Sequence, residues 1–434
     1  MNSEHTAQTS QPRLAFARLL AATAAFTLAG CALSRPATEA APSLASDADI
    51  DALHASALVV DAHADIIALG ERSPYAGDDG RSQVEPDKMR AGGVDLVVMA
   101  IAVGPMPRNP AGYAAARSKA NEELEAAREI AASDANTVIV RSAADIERAQ
   151  TRSQQALLLG FQNALILGRD QAALDEFYAA GARVFALTHM GHNDYADSSR
   201  PLFIAAQNTH EPDAEHGGLS ALGRRAIARI NALGGLIDVS QLSSQATLQA
   251  ISQSSTPVIA SHSNVRALCD VSRNLSDAEL DALGRRGGVV HIAPFRGYLF
   301  DSGDAALIAR IREARRAAEL PEDYLYPFEL YWEIDDPEAR AAFTGAISEL
   351  LGPGSLDVML DHIDYVARRI GPEHVGIGTD FNHGSGIDGF ADASEARNIT
   401  AGLVARGYSA EDIRGILGGN FLRVLRAAEA GRRP

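Results

Sequence analysis

Eight short, nearly uninterrupted apolar runs recur after residue 50, and they restrict this chain to very few folds. They are "ALVVDAHAD" (57–65), "VDLVVMAIAV" (94–103), "ALLLGFQNA" (156–164) and "ARVFALTH" (182–189), then "GLIDVSQL" (235–242), "TPVIASHS" (256–263), "GVVHIAPF" (288–295) and "HVGIGTDFNH" (374–383). A strand with one wet face alternates apolar and polar residues. Runs apolar throughout read as strands covered on both faces, as in a parallel sheet. Helix-like segments lie between them. "AGYAAARSKANEELEAAREIAAS" is rich in Ala, Glu and Arg, and "LSALGRRAIARINALG" carries Leu219, Leu222, Ile227 and Ile230 near helical spacing. The second stops at Gly234 and Gly235, residues suited to a C-cap. Eight strands alternating with helices predict an α/β fold, a (β/α)8 TIM barrel, with a doubly wound open sheet as the alternative. The longest interruption, residues 296–357, is aromatic and mixed in charge ("YLYPFELYWEI"). It predicts a helical insertion after the seventh strand, either a lid over the barrel mouth or a separate packing element.

The 434 residues carry a net charge of −17, with 46% apolar and 22% charged residues. That is the profile of a soluble globular chain, and its sign argues against nucleic acid as the main partner. The surplus is spread along the chain without an acidic tail, so it reads as solvated surface. The N-terminus has a separate role. Arg13 and Arg18 precede "LLAATAAFTLAG", and Cys31 follows at once. A basic flank, a short apolar segment and small residues describe an export signal over residues 1–30. "LAGC" resembles a bacterial lipobox, which implies cleavage before Cys31 and lipidation of its sulfur. The reading is then a lipid-anchored protein of the cell envelope, on its periplasmic face. Residues 31–50, rich in Ala, Ser and Pro, predict a flexible linker, and residues 51–434 the barrel domain. Cys269 is the other cysteine, so a lipidated Cys31 leaves no intrachain disulfide.

Polar residues gather at the C-terminal ends of the apolar runs: His63 and Asp65, Gln162, His189, Gln241, His262, and Asp380 with Asn382 and His383. In a barrel all those ends open onto one face, where active sites are built. In an open sheet they would scatter along an edge. His63 and Asp65 are two apart on a strand, so their side chains share a face and can converge on one ion. Imidazole and carboxylate together suit zinc or a similar divalent cation. Asp380, in "GIGTDFN", would be costly to bury without a cation or donors. Taken singly, a strand-end histidine is more often a satisfied core or surface residue than a ligand; the set together points to a metal.

Over residues 50 to 430 the chain resembles the membrane (renal-type) dipeptidase family, peptidases of the amidohydrolase-like barrel superfamily. The resemblance runs through "DAHAD", "LTHMGHNDYADSS", "GGLSALGRRAIARINALGGLIDVS", "PVIASHSNVRALCDVSRNLSD", "HVGIGTDFN" and "GYSAEDIRGILGGNFLRV". It implies a barrel with a two-zinc site that hydrolyses dipeptides. By position, His63 and Asp65 match the first-strand metal ligands, and Asp380 matches the eighth-strand carboxylate that also accepts a proton. His262 matches a ligand of the second zinc, and His189 the histidine that polarises the scissile carbonyl. Arg273, in "SRN", matches the arginine holding the substrate's free carboxylate, and Asn274 is expected beside it at the substrate. The resemblance also hints at a homodimer, although no stripe in the chain marks an interface.

Two positions depart from the family pattern. Gln162 stands where the family has a glutamate bridging both metals, and Gln241 where it has a further histidine on the second zinc. A carboxylate bridges because both oxygens are anionic acceptors, whereas an amide offers one neutral oxygen and a donor that repels a cation. Gln162 and Gln241 are therefore weak ligands at best. His63, Asp65, His262 and Asp380 supply two formal negatives, enough for one divalent ion. The expectation is a single metal, zinc by preference, on the His63, Asp65 and Asp380 side, serving a dipeptidase with an altered centre. The alternatives are a related enzyme acting on another small amide, modified peptide or lactone, and a non-catalytic binding protein. Retention of Arg273, His189 and Asp380 favours an enzyme.

Overall fold

Each of the eight apolar runs supplies one strand, and all eight lie parallel. In the computed structural model, which describes residues 46–433 apart from 205, 206, 208, 332 and 333, the strands are β1 (Val60–Asp65), β2 (Leu96–Ala102), β3 (Gln155–Gln162) and β4 (Ala182–Ala186), followed by β5 (Leu236–Asp238), β6 (Ile259–Ala260), β7 (Val289–Ile292) and β8 (Val375–Ile377). Neighbours in sequence are neighbours in the sheet. The ends meet where Ala64 pairs in parallel with Phe381. There Asp65 N–H donates to Phe381 O and Asp380 N–H to His63 O, both at 2.9 Å. A nearly closed parallel barrel wrapped by helices results, the TIM-barrel architecture, and the open-sheet alternative falls away.

Local chemistry sets the helix ends. Asn109 caps the helix Pro110–Ser133 by accepting from Gly112 N–H at 3.0 Å, with Pro110 in its first turn, where a missing N–H costs nothing. Ala116, Ala120, Leu124 and Ala127 of that helix are buried, a spacing of three or four that turns one face to the barrel. The helix Ala221–Leu233 ends at Gly234, whose φ is 81°, the left-handed C-cap expected there.

Two features were not expected. A short strand, Thr137–Val140, pairs in parallel with the first half of β3, while β4 pairs with the second half. Its four residues, half of them only partly buried, are too few to show a period. A helix also starts at Asp47, held by a capping box on Ser46, so the ordered domain claims residues 47–50 of the expected linker. The export signal, Cys31 and most of the linker lie outside the described residues. Among the described residues, no helix is long and apolar enough to cross a membrane.

The insertion after β7 is helical, with helices Ala305–Ala317 and Pro337–Leu351. It builds its own apolar cluster, in which Phe295, Tyr298, Tyr326, Phe343 and Ile347 are buried together with Cys269 and Val271 from the loop after β6. This packing brings the Tyr298 and Tyr326 rings to two buried arginines of the site.

Candidate metal centre

The polar tips converge, and the backbone is bent to make them do so. Gln241, Asp380 and Asn382 adopt φ of 70°, 57° and 66°, a left-handed region that non-glycine residues avoid unless the surroundings enforce it. Gly378 lies two residues before Asp380, and a Cβ there would stand 1.7 Å from the Ser261 carbonyl oxygen. Only glycine lets β8 pass this close to the segment carrying His262. Asp61 completes the clamp. Its carboxylate accepts from Thr379 N–H (2.8 Å), Thr379 Oγ1 (2.6 Å) and His63 N–H (3.1 Å). Burial pushes Asp61 up to about 6 despite these donors. Thus β1 is tied to the Asp380 turn.

His63 Nε2 is buried and has no hydrogen-bond partner. Asp65 Oδ1 stands 3.6 Å from it and Asp380 Oδ1 3.9 Å, too far for hydrogen bonds and close enough to share an ion. Burial lowers the His63 pKa, but Asp65 and Asp380 beside it more than reverse this and leave it raised. The other oxygen of Asp65 accepts from His383 Nδ1 at 2.8 Å. Burial works against both charges of that pair, yet His383 holds Asp65 below the usual carboxylate range, and Asp65 holds His383 up at about 9. His383 meets the His189 ring edge-on at 5.7 Å and stacks on Tyr75. His189 is buried with Nδ1 unpartnered; burial, then the nearby Arg200 charge, lower its pKa well below normal, so it is neutral.

On the other side the His262 ring stacks on His63 with centroids 3.8 Å apart. One atom each of His63, His262 and Asp380 lie within 4.8 Å of one another. Nevertheless, both His262 nitrogens are engaged, Nε2 by Gln241 Nε2 (3.1 Å) and Nδ1 by Ser261 Oγ (2.7 Å). His262 thus stands beside His63 and Asp380, where the sequence placed it, with both ring nitrogens hydrogen-bonded as folded. Gln241 Oε1 is likewise taken, by Arg200 Nη2. Gln162, buried at the end of β3, has its Nε2 unpartnered, a donor turned to no acceptor.

For a first divalent ion the donors fit: one free imidazole nitrogen and two carboxylates around it. For a second they do not, because the remaining positions offer an engaged histidine, two amides and a guanidinium.

Arg273 donates to Ser263 Oγ (3.0 Å) and the His262 carbonyl (2.6 Å), and its guanidinium lies 5.4 Å from the Tyr298 ring centroid. Both hydrogen-bond partners are neutral, and Nε has none. The Asn274 Nδ2 donates to the carbonyls of Cys269 (2.8 Å) and Tyr298 (3.0 Å) and braces the loop that carries Arg273, while its Oδ1 is buried without a partner. Sequence reasoning passed over Asp61, Asp238 and Arg200, and it noted His383 without giving it a task. Short carboxylate and serine side chains that hold backbone leave no motif. The one available signal was Arg200 itself, a cation in the otherwise small and polar "DYADSSR".

A family model described as membrane dipeptidase (Peptidase family M19) matches residues 47–434. Dipeptidase aclJ of Aspergillus oryzae (strain ATCC 42149 / RIB 40) is 32% identical over 269 residues, 62% of this chain and 50% of that protein. Dipeptidase 3 of Homo sapiens is 26% identical over 313 residues, 72% of this chain and 52% of that protein. The chain spans about half the length of the curated relatives it matches. Among solved structures, the probable dipeptidase PvdM from Pseudomonas aeruginosa superposes with a TM-score of 0.77 at 33% identity, covering 88% of this chain and 98% of that one. A metallopeptidase from Rhodobacter sphaeroides, liganded with a phosphinate mimic of the dipeptide L-Ala-D-Ala, shares the fold at a TM-score of 0.65 and 21% identity, covering 86% of this chain and 99% of that one.

Proposed function

The chain belongs to the membrane dipeptidase family, Peptidase family M19, and from that premise we propose a metal-dependent hydrolase of small dipeptides that works with one divalent ion. The observation that carries this reading is the free, buried His63 Nε2 with Asp65 and Asp380 oxygens 3.6 and 3.9 Å away. Those three residues would hold the ion, zinc by preference, and it would supply Lewis acidity beside the scissile bond. His383 fixes the outer oxygen of Asp65 and leaves the inner one facing His63. Arg273 binds the free carboxylate of the substrate, and its unpartnered Nε gives that anion a donor. His189, being neutral, presents an N–H toward the carbonyl oxygen on which charge develops. Asp380 takes the proton of the attacking water and returns it to the departing amine. The buried Tyr326 and Tyr298 rings lie against Arg200 and Arg273.

A second reading, hydrolysis of another small amide, modified peptide or lactone, draws on the replacement of ligands by Gln162 and Gln241. A panel of L,L- and L,D-dipeptides against purified, zinc-loaded protein, with metal counted per chain, separates the readings. One ion per chain and turnover that falls at least about 100-fold in Asp380→Asn supports the dipeptidase. An ion with turnover of small amides or lactones alone supports the second reading. Neither ion nor turnover makes this a binding protein. We also propose a lipid anchor on Cys31 at the cell envelope. Labelled palmitate should enter the wild type and not Cys31→Ser, which should leave the membrane fraction.

A further inference from the structure

The amide of Gln241 reports what stands on either side of it. A guanidinium only donates, so the bond from Arg200 Nη2 fixes the Gln241 oxygen on the arginine side. The amide nitrogen is thereby turned to His262 Nε2 at 3.1 Å, and because an amide N–H also only donates, Nε2 must accept. The His262 proton then sits on Nδ1, against Ser261 Oγ at 2.7 Å, and the Ser261 hydroxyl donates to Asp238 Oδ2 at 2.6 Å. Asp238 is itself held by the backbone N–H groups of Ser240 and Ser261, each at 2.9 Å. Protons are thus assigned without conflict from a buried cation at one end to a buried carboxylate at the other. Both His262 nitrogens and the Gln241 oxygen are engaged within this network.

Arg200 is 5% exposed, its guanidinium lies 5.5 Å from the Tyr326 ring centroid, and its Nε has no acceptor. No salt-bridge partner of Arg200 lies within 4 Å among the described residues, and the Asp380 charge acts on it only from a distance. We infer that Arg200 is a built-in cation in place of a second metal ion: it holds Gln241 closed over His262, excludes that ion and supplies one permanent positive charge. The inference rests on the one-metal reading above and explains why the two glutamines are tolerated. With a guanidinium held against position 241, a carboxylate at 162 and an imidazole at 241 have no ion to serve. Restoring those ligands is then not enough to restore the site.

The test counts zinc per chain by elemental analysis after zinc loading of the full-length protein. Gln162→Glu with Gln241→His should keep the wild-type count. Adding Arg200→Met to that pair should raise it by one ion per chain, and Arg200→Gln, also neutral, should do the same if the methionine variant does not fold. A second ion in the wild type, or gained by the two-position variant with Arg200 intact, would overturn the inference, and neither measurement needs an Arg200 variant to fold. So would a folded Arg200 variant that gains none. The wild-type count separately judges the one-metal reading: zero ions refutes that reading, while a gain on removing Arg200 still upholds the role of the guanidinium.

Discussion

Glu123 offers the clearest quantitative test of how acids are held near this site. It reaches from the helix Pro110–Ser133 to the end of β2, where its carboxylate accepts from Ala102 N–H at 2.7 Å. Lys119 Nζ is 3.4 Å from the other oxygen, and the Glu123 side chain is 13% exposed. Burial, which outweighs the Ala102 bond and is reinforced by the Asp65 charge, pushes its pKa from 4.5 up to about 7. At 1.36 kcal/mol per unit, that rise corresponds to about 3 kcal/mol, an upper figure. The sign follows from proton binding. Between about pH 4.5 and 7 the folded chain holds the Glu123 proton and the unfolded chain has released it, so this contribution to stability is complete below the window and lost above it. Glu123→Gln keeps an oxygen for Ala102 N–H and has no charge to bury. Urea unfolding with a chelator present should therefore show the two proteins within about 1 kcal/mol at pH 4.5, and the variant more stable by up to about 3 kcal/mol near pH 8. Titrating groups that do not interact with Glu123 cancel in the difference. A difference that stays constant within about 0.5 kcal/mol across that range would refute the reasoning.

Arg273→Lys should lower kcat/KM for dipeptides with a free carboxylate by about 10- to 100-fold, since an ammonium cannot replace the planar fork, and leave dipeptide amides unaffected; equal losses on both would remove Arg273 from carboxylate binding. Gly378→Ala should cost at least about 3 kcal/mol or prevent folding, because the new Cβ meets backbone at 1.7 Å; a soluble variant with an unchanged unfolding midpoint would refute the close-packing argument.

Much of this arrangement was legible in the primary structure, and some of it could not be. Eight buried parallel strands need both faces apolar, so each run declared itself, and the polar break at its end marked where the barrel opens. The pairing of His63 with Asp65 and the arrival of Asp380 beside them are consequences of that period and closure. The four-residue strand at 137–140 and the work of Asn274 escaped, because a short strand has no period and an amide that grips carbonyls looks the same as one that faces a ligand. The two glutamines stood out as departures from the ligand pattern that the family resemblance implies. The cation that meets Gln241 was decided in three dimensions, where loops after β4 and β5 bring Arg200 onto it. Sequence by itself determined which strands form and at which strand ends the polar side chains gather, since these depend on residue type and local spacing. Only the tertiary structure decided which nitrogen of His262 holds its proton and which cation it answers to, since hydrogen-bond direction depends on distances between residues remote in the chain.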